Sequence, residues 1–99
     1  MKIYLDDERP APEGWHRTYT ARETIKALEL HGSNVTEISL DHDLGLKDED
    51  GYDVLLYLEV IAATTERHIP LIRVHTANPS AEKKMLLAVY NIHKFVKER

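Results

Sequence analysis

Short β-prone runs alternate with amphipathic helical stretches along this chain, and that alternation constrains the fold more than any other feature. Lys2-Ile3-Tyr4-Leu5, Glu37-Ile38-Ser39-Leu40 and Leu71-Ile72-Arg73-Val74 read as strands, and Arg17-Thr18-Tyr19 as a short edge strand. Thr20 with Glu23 spells a capping box that opens a helix carrying Ala21, Ile25, Ala27 and Leu28, with Gly32 as its stop. Gly51 opens a second helix with Val54, Leu55, Leu58, Ile61 and Ala62 on one face. Asn78-Pro79 supplies an N-cap and a proline at the first helical position. The helix that follows has a stripe of Ala81, Met85, Ala88, Val89, Ile92, Phe95 and Val96. Strands that alternate with helices imply a mostly parallel sheet with right-handed crossovers. At 99 residues the expectation is a single α/β domain over 1–99, with three or four strands and three main helices.

Ligands of such sheets bind beyond the carboxyl ends of the strands. Asp6, Asp7, Glu8 and Arg9 follow the first strand; Asp41, His42 and Asp43 follow the middle one; His75, Thr76 and Asn78 follow the next. A parallel sheet puts all three sets on one edge. Carboxylates gathered in a small site repel one another, and a divalent cation relieves that repulsion. Oxygen ligation of this kind suits Mg²⁺ or Mn²⁺. Arg9 is a bidentate phosphate donor, and the N-terminus of the last helix offers free N–H groups to an anion. Acids for a metal beside donors for an anion describe a metal–phosphate site. Each residue alone also has a plainer reading. Asp6-Asp7-Glu8 fits a solvated turn, Asp43 a cap for the turn at Gly45, and His42 and His75 structural histidines. Arg9 also fits an ion pair with a neighbouring glutamate, and Trp15 fits a lid on the core better than a stacking platform.

Composition removes other classes. Without cysteine there is neither thiolate catalysis nor a cysteine zinc site. A net charge of −4 disfavours general DNA or RNA binding, which needs a basic face. The apolar stretch Val54 to Ala63 is too short to span a bilayer, and Asp6 interrupts the N-terminus before a signal segment could form. The expected setting is therefore cytoplasmic.

Leu5-Asp6-Asp7-Glu8, Ser39-Leu40-Asp41 followed by Leu44, Gly51-Tyr52-Asp53-Val54-Leu55, and Ile69-Pro70-Leu71-Ile72 with Thr76-Ala77 resemble the strand ends of response-regulator receiver domains. A narrower likeness is closer. Leu-Asp-Asp-Glu-Arg-Pro-Ala-Pro at 5–12, Gly14-Trp15, Leu-Asp-His-Asp-Leu-Gly at 40–45, Gly51-Tyr52-Asp53 and His-Thr-Ala-Asn-Pro at 75–79 resemble the cyclic-phosphate-processing receiver-like family. Ser80 departs from the pattern, standing where a glycine is expected. The resemblance implies a reduced receiver-like, flavodoxin-like three-layer sandwich. In it the loop Arg9 to Trp15 replaces the first receiver helix, and the fifth strand with its lysine is absent. A sheet reduced in this way leaves an edge at its fourth strand that another chain could cover.

On that footing the resemblance implies a metal-dependent phosphoesterase. Asp6, Asp7 and Asp41 would hold Mg²⁺ or Mn²⁺, and His42 and His75 would act as base and acid. Arg9, Thr76 and Asn78 would hold phosphate oxygens, with Asp43 and Glu8 in support. A covalent aspartyl-phosphate at Asp41 stays open. The expected substrate carries a cyclic phosphate: a nucleotide, an RNA end or an ADP-ribose derivative. Two readings compete, a phospho-acceptor switch at Asp41 and a non-catalytic module that binds phosphate or protein.

Overall fold

In a computed structural model the described residues are 1–42 and 50–99. They form β1 (Lys2–Leu5), β2 (His16–Thr18), α1 (Ala21–His31), β3 (Glu37–Leu40), α2 (Gly51–Thr64), β4 (Leu71–Val74) and α3 (Pro79–Lys97). All strand pairs are parallel, in the order β2-β1-β3-β4. The chain thus adopts the expected α/β class, a receiver-like parallel sheet of four strands with three helices. β2 lies one residue earlier than the expected Arg17–Tyr19, because His16 pairs with Ile3.

The helices begin where their caps dictate. Thr20 Oγ1 accepts from the Glu23 N–H at 3.0 Å, while the Glu23 carboxylate reaches past Thr20 to the Tyr19 N–H. Gly32 is not a left-handed stop; it stays right-handed and begins a 3-10 turn, Gly32–Asn34, that ends α1. Asp50 closes a capping box with Asp53, accepting from the Tyr52 N–H while its own N–H reaches the Asp53 carboxylate. Asn78 Oδ1 accepts from the Ser80 and Ala81 N–H groups at the start of α3.

Both crossovers β2–α1–β3 and β3–α2–β4 run in the same direction across the sheet, so right-handedness puts α1 and α2 on one face. α3 packs against α2 on that face. Ile3, Leu5, Ile38, Leu40 and Ile72 point into this helical layer and are buried with Leu28, Val54, Leu55, Leu58, Met85 and Ile92. The β1–β2 connection steps the opposite way and belongs to the other face. There Gly14, at φ 87°, turns the chain so that the Trp15 ring meets Tyr4 edge-on at 6.2 Å. Among the described residues no helix covers this second face, so they form two layers where a three-layer sandwich was expected. A loop and an aromatic cluster stand in place of the outer helices. β2 and β4 are the edges of the described sheet, and on β4 Leu71 is about half exposed. No described helix is long and apolar enough to cross a membrane.

Candidate functional site

Past the row Leu5–Leu40–Val74, the next residues of β1, β3 and β4 are Asp6, Asp41 and His75. Backbone bonds carry the ladder one step further: the Asp41 N–H donates to Leu5 O, and the His75 N–H to Leu40 O. Alternation along a strand turns all three side chains to the face without helices. Register therefore assembles the site from segments more than thirty residues apart.

Asp6 is its most constrained member, with a fully buried side chain. Its Oδ1 accepts from the Glu8 and Arg9 N–H groups, both at 2.8 Å. Its Oδ2 faces His75 Nε2 at 3.2 Å and Arg9 Nε at 3.6 Å. The Arg17 Nε–H donates to the Asp6 carbonyl at 3.0 Å. Burial pushes the Asp6 carboxyl up, but the two amides and the charges of Arg9 and His75 outweigh it and hold the group below its ordinary value. Asp41 goes the other way: burial first, then the charge of Asp6, raises it above the ordinary carboxylate range. Carboxylate oxygens of Asp6, Asp7 and Asp41 lie within 4.8 Å of one another. Hard oxygen donors this close, one of them raised by its neighbour's charge, fit a divalent cation of the Mg²⁺ or Mn²⁺ kind.

The Asp41 backbone is located by the start of α2. A Cβ at Gly51 would overlap the Asp41 carbonyl oxygen and lie 2.9 Å from its carbon, so only glycine lets the helix approach this closely. His42 follows on the α2 side, where its Nε2 meets Asp50 Oδ2 at 3.3 Å. His75 is held quite differently. Its Nδ1 is 2.6 Å from Ser39 Oγ, its Nε2 faces Asp6, and its ring stacks on Tyr4 at 4.2 Å with 6° between planes. Burial lowers the His75 pKa, the charges of Asp41 and Asp6 working against that.

The structure thus brings Asp6, Asp7, Asp41, Arg9 and His75 together. His42 has a different carboxylate partner from His75. Glu8 contributes its backbone N–H to Asp6, while its side chain is exposed. The Thr76 hydroxyl accepts from the Asn78 N–H at 3.2 Å and keeps its own proton to donate. Asn78 Oδ1 is committed to the helix cap, leaving the side-chain amide as the donor. Asp43 lies outside the described residues. Sequence reasoning missed Ser39, Tyr4 and Asp50. Period-two alternation would have put Tyr4 and Ser39 on the same face as Asp6 and Asp41. The Asp50…Asp53 spacing is a capping signal hidden in a charged run.

A four-stranded parallel sheet with an acidic pair after β1, a third acid after β3 and a hydroxyl residue beyond β4 defines a receiver-like domain. The chain belongs to the cyclic-phosphate processing receiver domain family, whose model matches residues 1–91. No match was found among curated proteins, and none among solved structures.

Proposed function

We propose that this domain hydrolyses a cyclic phosphate in a divalent-metal-dependent reaction. The observation that carries the proposal is the carboxylate trio of Asp6, Asp7 and Asp41 within 4.8 Å, inside a family described as processing cyclic phosphates. Asp6, Asp7 and Asp41 hold Mg²⁺ or Mn²⁺, which when bound supplies Lewis-acid polarisation of a phosphoryl oxygen. The half-exposed Arg9 guanidinium, the Thr76 hydroxyl and the Asn78 side-chain amide hold the non-bridging oxygens. Water adds to phosphorus, one ring P–O bond breaks, and the leaving oxygen takes a proton, giving a phosphomonoester. His42, oriented by Asp50, exchanges the proton with water or the leaving oxygen, a role typically worth ~10²–10⁴-fold. His75 has both ring nitrogens engaged. That geometry favours a part in holding the acids over the proton-transfer role expected from the sequence.

The test is a panel of cyclic phosphates (nucleotides, RNA ends and ADP-ribose derivatives) incubated with Mg²⁺, Mn²⁺ or EDTA and followed by mass spectrometry. Metal-dependent gain of one water, lost in Asp7→Asn and His42→Ala, is the expected result. A folded, metal-binding protein that turns over none of them overturns the esterase reading. A phospho-acceptor reading draws on the place of Asp41, at the end of β3 beside two acids. Incubation with a small phosphodonor and intact-mass measurement separates it from hydrolysis.

A further inference from the structure

We propose that Ser39, which lies outside the acid cluster, is a positioning residue for it: through the His75 imidazole, the Ser39 hydroxyl holds the Asp6 carboxylate in the orientation that brings it to Asp7 and Asp41. Ser39 is a mid-strand polar residue on the face without helices, yet it is only 6% exposed. Tyr4 and Arg73 flank it in register. Its Oγ is bonded to His75 Nδ1 at 2.6 Å, and the other ring nitrogen faces Asp6 Oδ2 at 3.2 Å. The three residues come from β3, the end of β4 and the end of β1, so the contact chain crosses the sheet at its functional edge.

The direction of each hydrogen bond follows from counting protons. A neutral imidazole has one N–H and one bare nitrogen. The Asp6 carboxylate only accepts, and its Oδ1 already takes two amide protons. Nε2 must therefore carry the proton, since a bare nitrogen 3.2 Å from a carboxylate oxygen would be repelled. Nδ1 is then an acceptor, and Ser39 must be the donor. Stacking on Tyr4 fixes the ring plane, so the line joining the two nitrogens keeps its aim. The relay thus reads Ser39 O–H to Nδ1, Nε2–H to Asp6 Oδ2. Groups that hydrogen-bond a ligating side chain orient it, and their loss typically weakens metal binding by ~10–100-fold. The relay stands on geometry alone; only its consequence for the cation rests on the metal reading proposed above.

The experiment uses the full chain as wild type, Ser39→Ala and Ser39→Thr, with two measurements. The first is imidazole ¹⁵N shifts from long-range ¹H–¹⁵N correlation at neutral pH without metal. The second is Mn²⁺ affinity from the free-ion paramagnetic resonance signal. Wild type is expected to show His75 protonated at Nε2 alone. Ser39→Thr should keep that signature and wild-type affinity. Ser39→Ala should shift the Nδ1 resonance away from its hydrogen-bonded position and weaken Mn²⁺ about tenfold. A wild-type His75 protonated at Nδ1 overturns the relay, and this reading needs no variant to fold. Unchanged shifts and unchanged affinity in folded Ser39→Ala also overturn it. Wild type that shows the Nε2–H signature but binds no Mn²⁺ overturns the metal reading and supports the relay.

Discussion

The two faces of the sheet follow opposite rules. On the helical side Ile3, Leu5, Ile38 and Leu40 are fully buried, and shape and area hold the layer together. On the other side Tyr4, Ser39, Asp6 and His75 are joined by directional contacts, with Asp41 beside them. At the base of that side Glu37 bridges Lys2 at 3.9 Å and Arg73 at 3.7 Å, surface pairs worth about 0–1 kcal/mol each. Adjacent residues of a single strand thus serve different ends: Ile38 anchors the fold and Ser39 aims the site. Lost volume is the costly change on the helical face, and a misaimed hydrogen bond the telling one on the open face. Stability comes mainly from the first, and the candidate site is built on the second.

That contrast is broken most directly at neighbouring positions. Ile38→Ala should cost about 4 kcal/mol in urea unfolding, the transfer and cavity cost of a fully buried aliphatic side chain. Ser39→Ala, next along the strand, should cost only about 1 kcal/mol, the net worth of one hydrogen bond. Equal costs would mean that the open face is as much a packing core as the other. Gly51→Ala joins the two regimes, because its Cβ would push on the Asp41 backbone from the helical side. It should cost about 3 kcal/mol, as overpacking against backbone does. Because it displaces Asp41, it should also weaken Mn²⁺ binding, measured by titration, more than an equally destabilising change at Leu58.

The acids supply a smaller effect of opposite sign. Asp41 is raised in the folded protein by burial and by the charge of Asp6. As pH climbs from the ordinary aspartate value through that raised value, the unfolded chain gives up this proton first, so Asp41 subtracts stability at neutral pH. Asp6 is lowered and does the reverse: it adds stability above the ordinary value, and the gain is lost as pH falls through its own depressed value. Without metal at pH 7, Asp41→Asn should therefore stabilise the protein, by about 1 kcal/mol in denaturant melts, as relief of functional strain often does. Added Mg²⁺ should raise the wild-type melting temperature and leave the variant's nearly unchanged. A variant less stable than metal-free wild type would show that Asp41 is held by favourable contacts and is not strained by its neighbour.

The helical face was the more legible from sequence, because periodicity is a local property. Caps at Thr20 and Asn78, the stripe from Ala81 to Ile92 and the apolar alternation in β1 and β3 each lie within a few residues. The acids at the strand ends were legible for another reason: a parallel topology gathers them at one edge whatever the register. Ser39 and Tyr4 were not legible, since their roles exist only when three strands are aligned residue by residue. The same holds for His42 and His75. They look alike as histidines following strands, yet one meets Asp50 at the start of α2 and the other Asp6 at the end of β1. The side taken by α1 and α2 was in principle readable from the direction of their crossovers once the strand order is known, whereas α3 follows the last strand and takes its side from packing on α2.

The aromatic cluster is the finest test of the contrast, because on the open face it joins ring packing to direction. Tyr4 touches His75 face to face and Trp15 edge to face, so its ring has both area and direction. If area alone mattered, Tyr4→Leu would cost little, since a leucine covers much of the same surface. If direction matters, the variant loses the pair term of about 0.5–1.5 kcal/mol that stacked rings add beyond burial. It also frees the His75 ring to tilt away from the line between Ser39 and Asp6. The expected outcome is a loss of about 1 kcal/mol in urea, with a broadened His75 Nε2–H resonance and unchanged helical circular dichroism. Tyr4→Phe keeps the ring and should match wild type in all three measurements. Should Tyr4→Leu leave the His75 resonance sharp while costing the same stability, the stack is simply packing. The aim of the imidazole would then be set by its two hydrogen bonds alone.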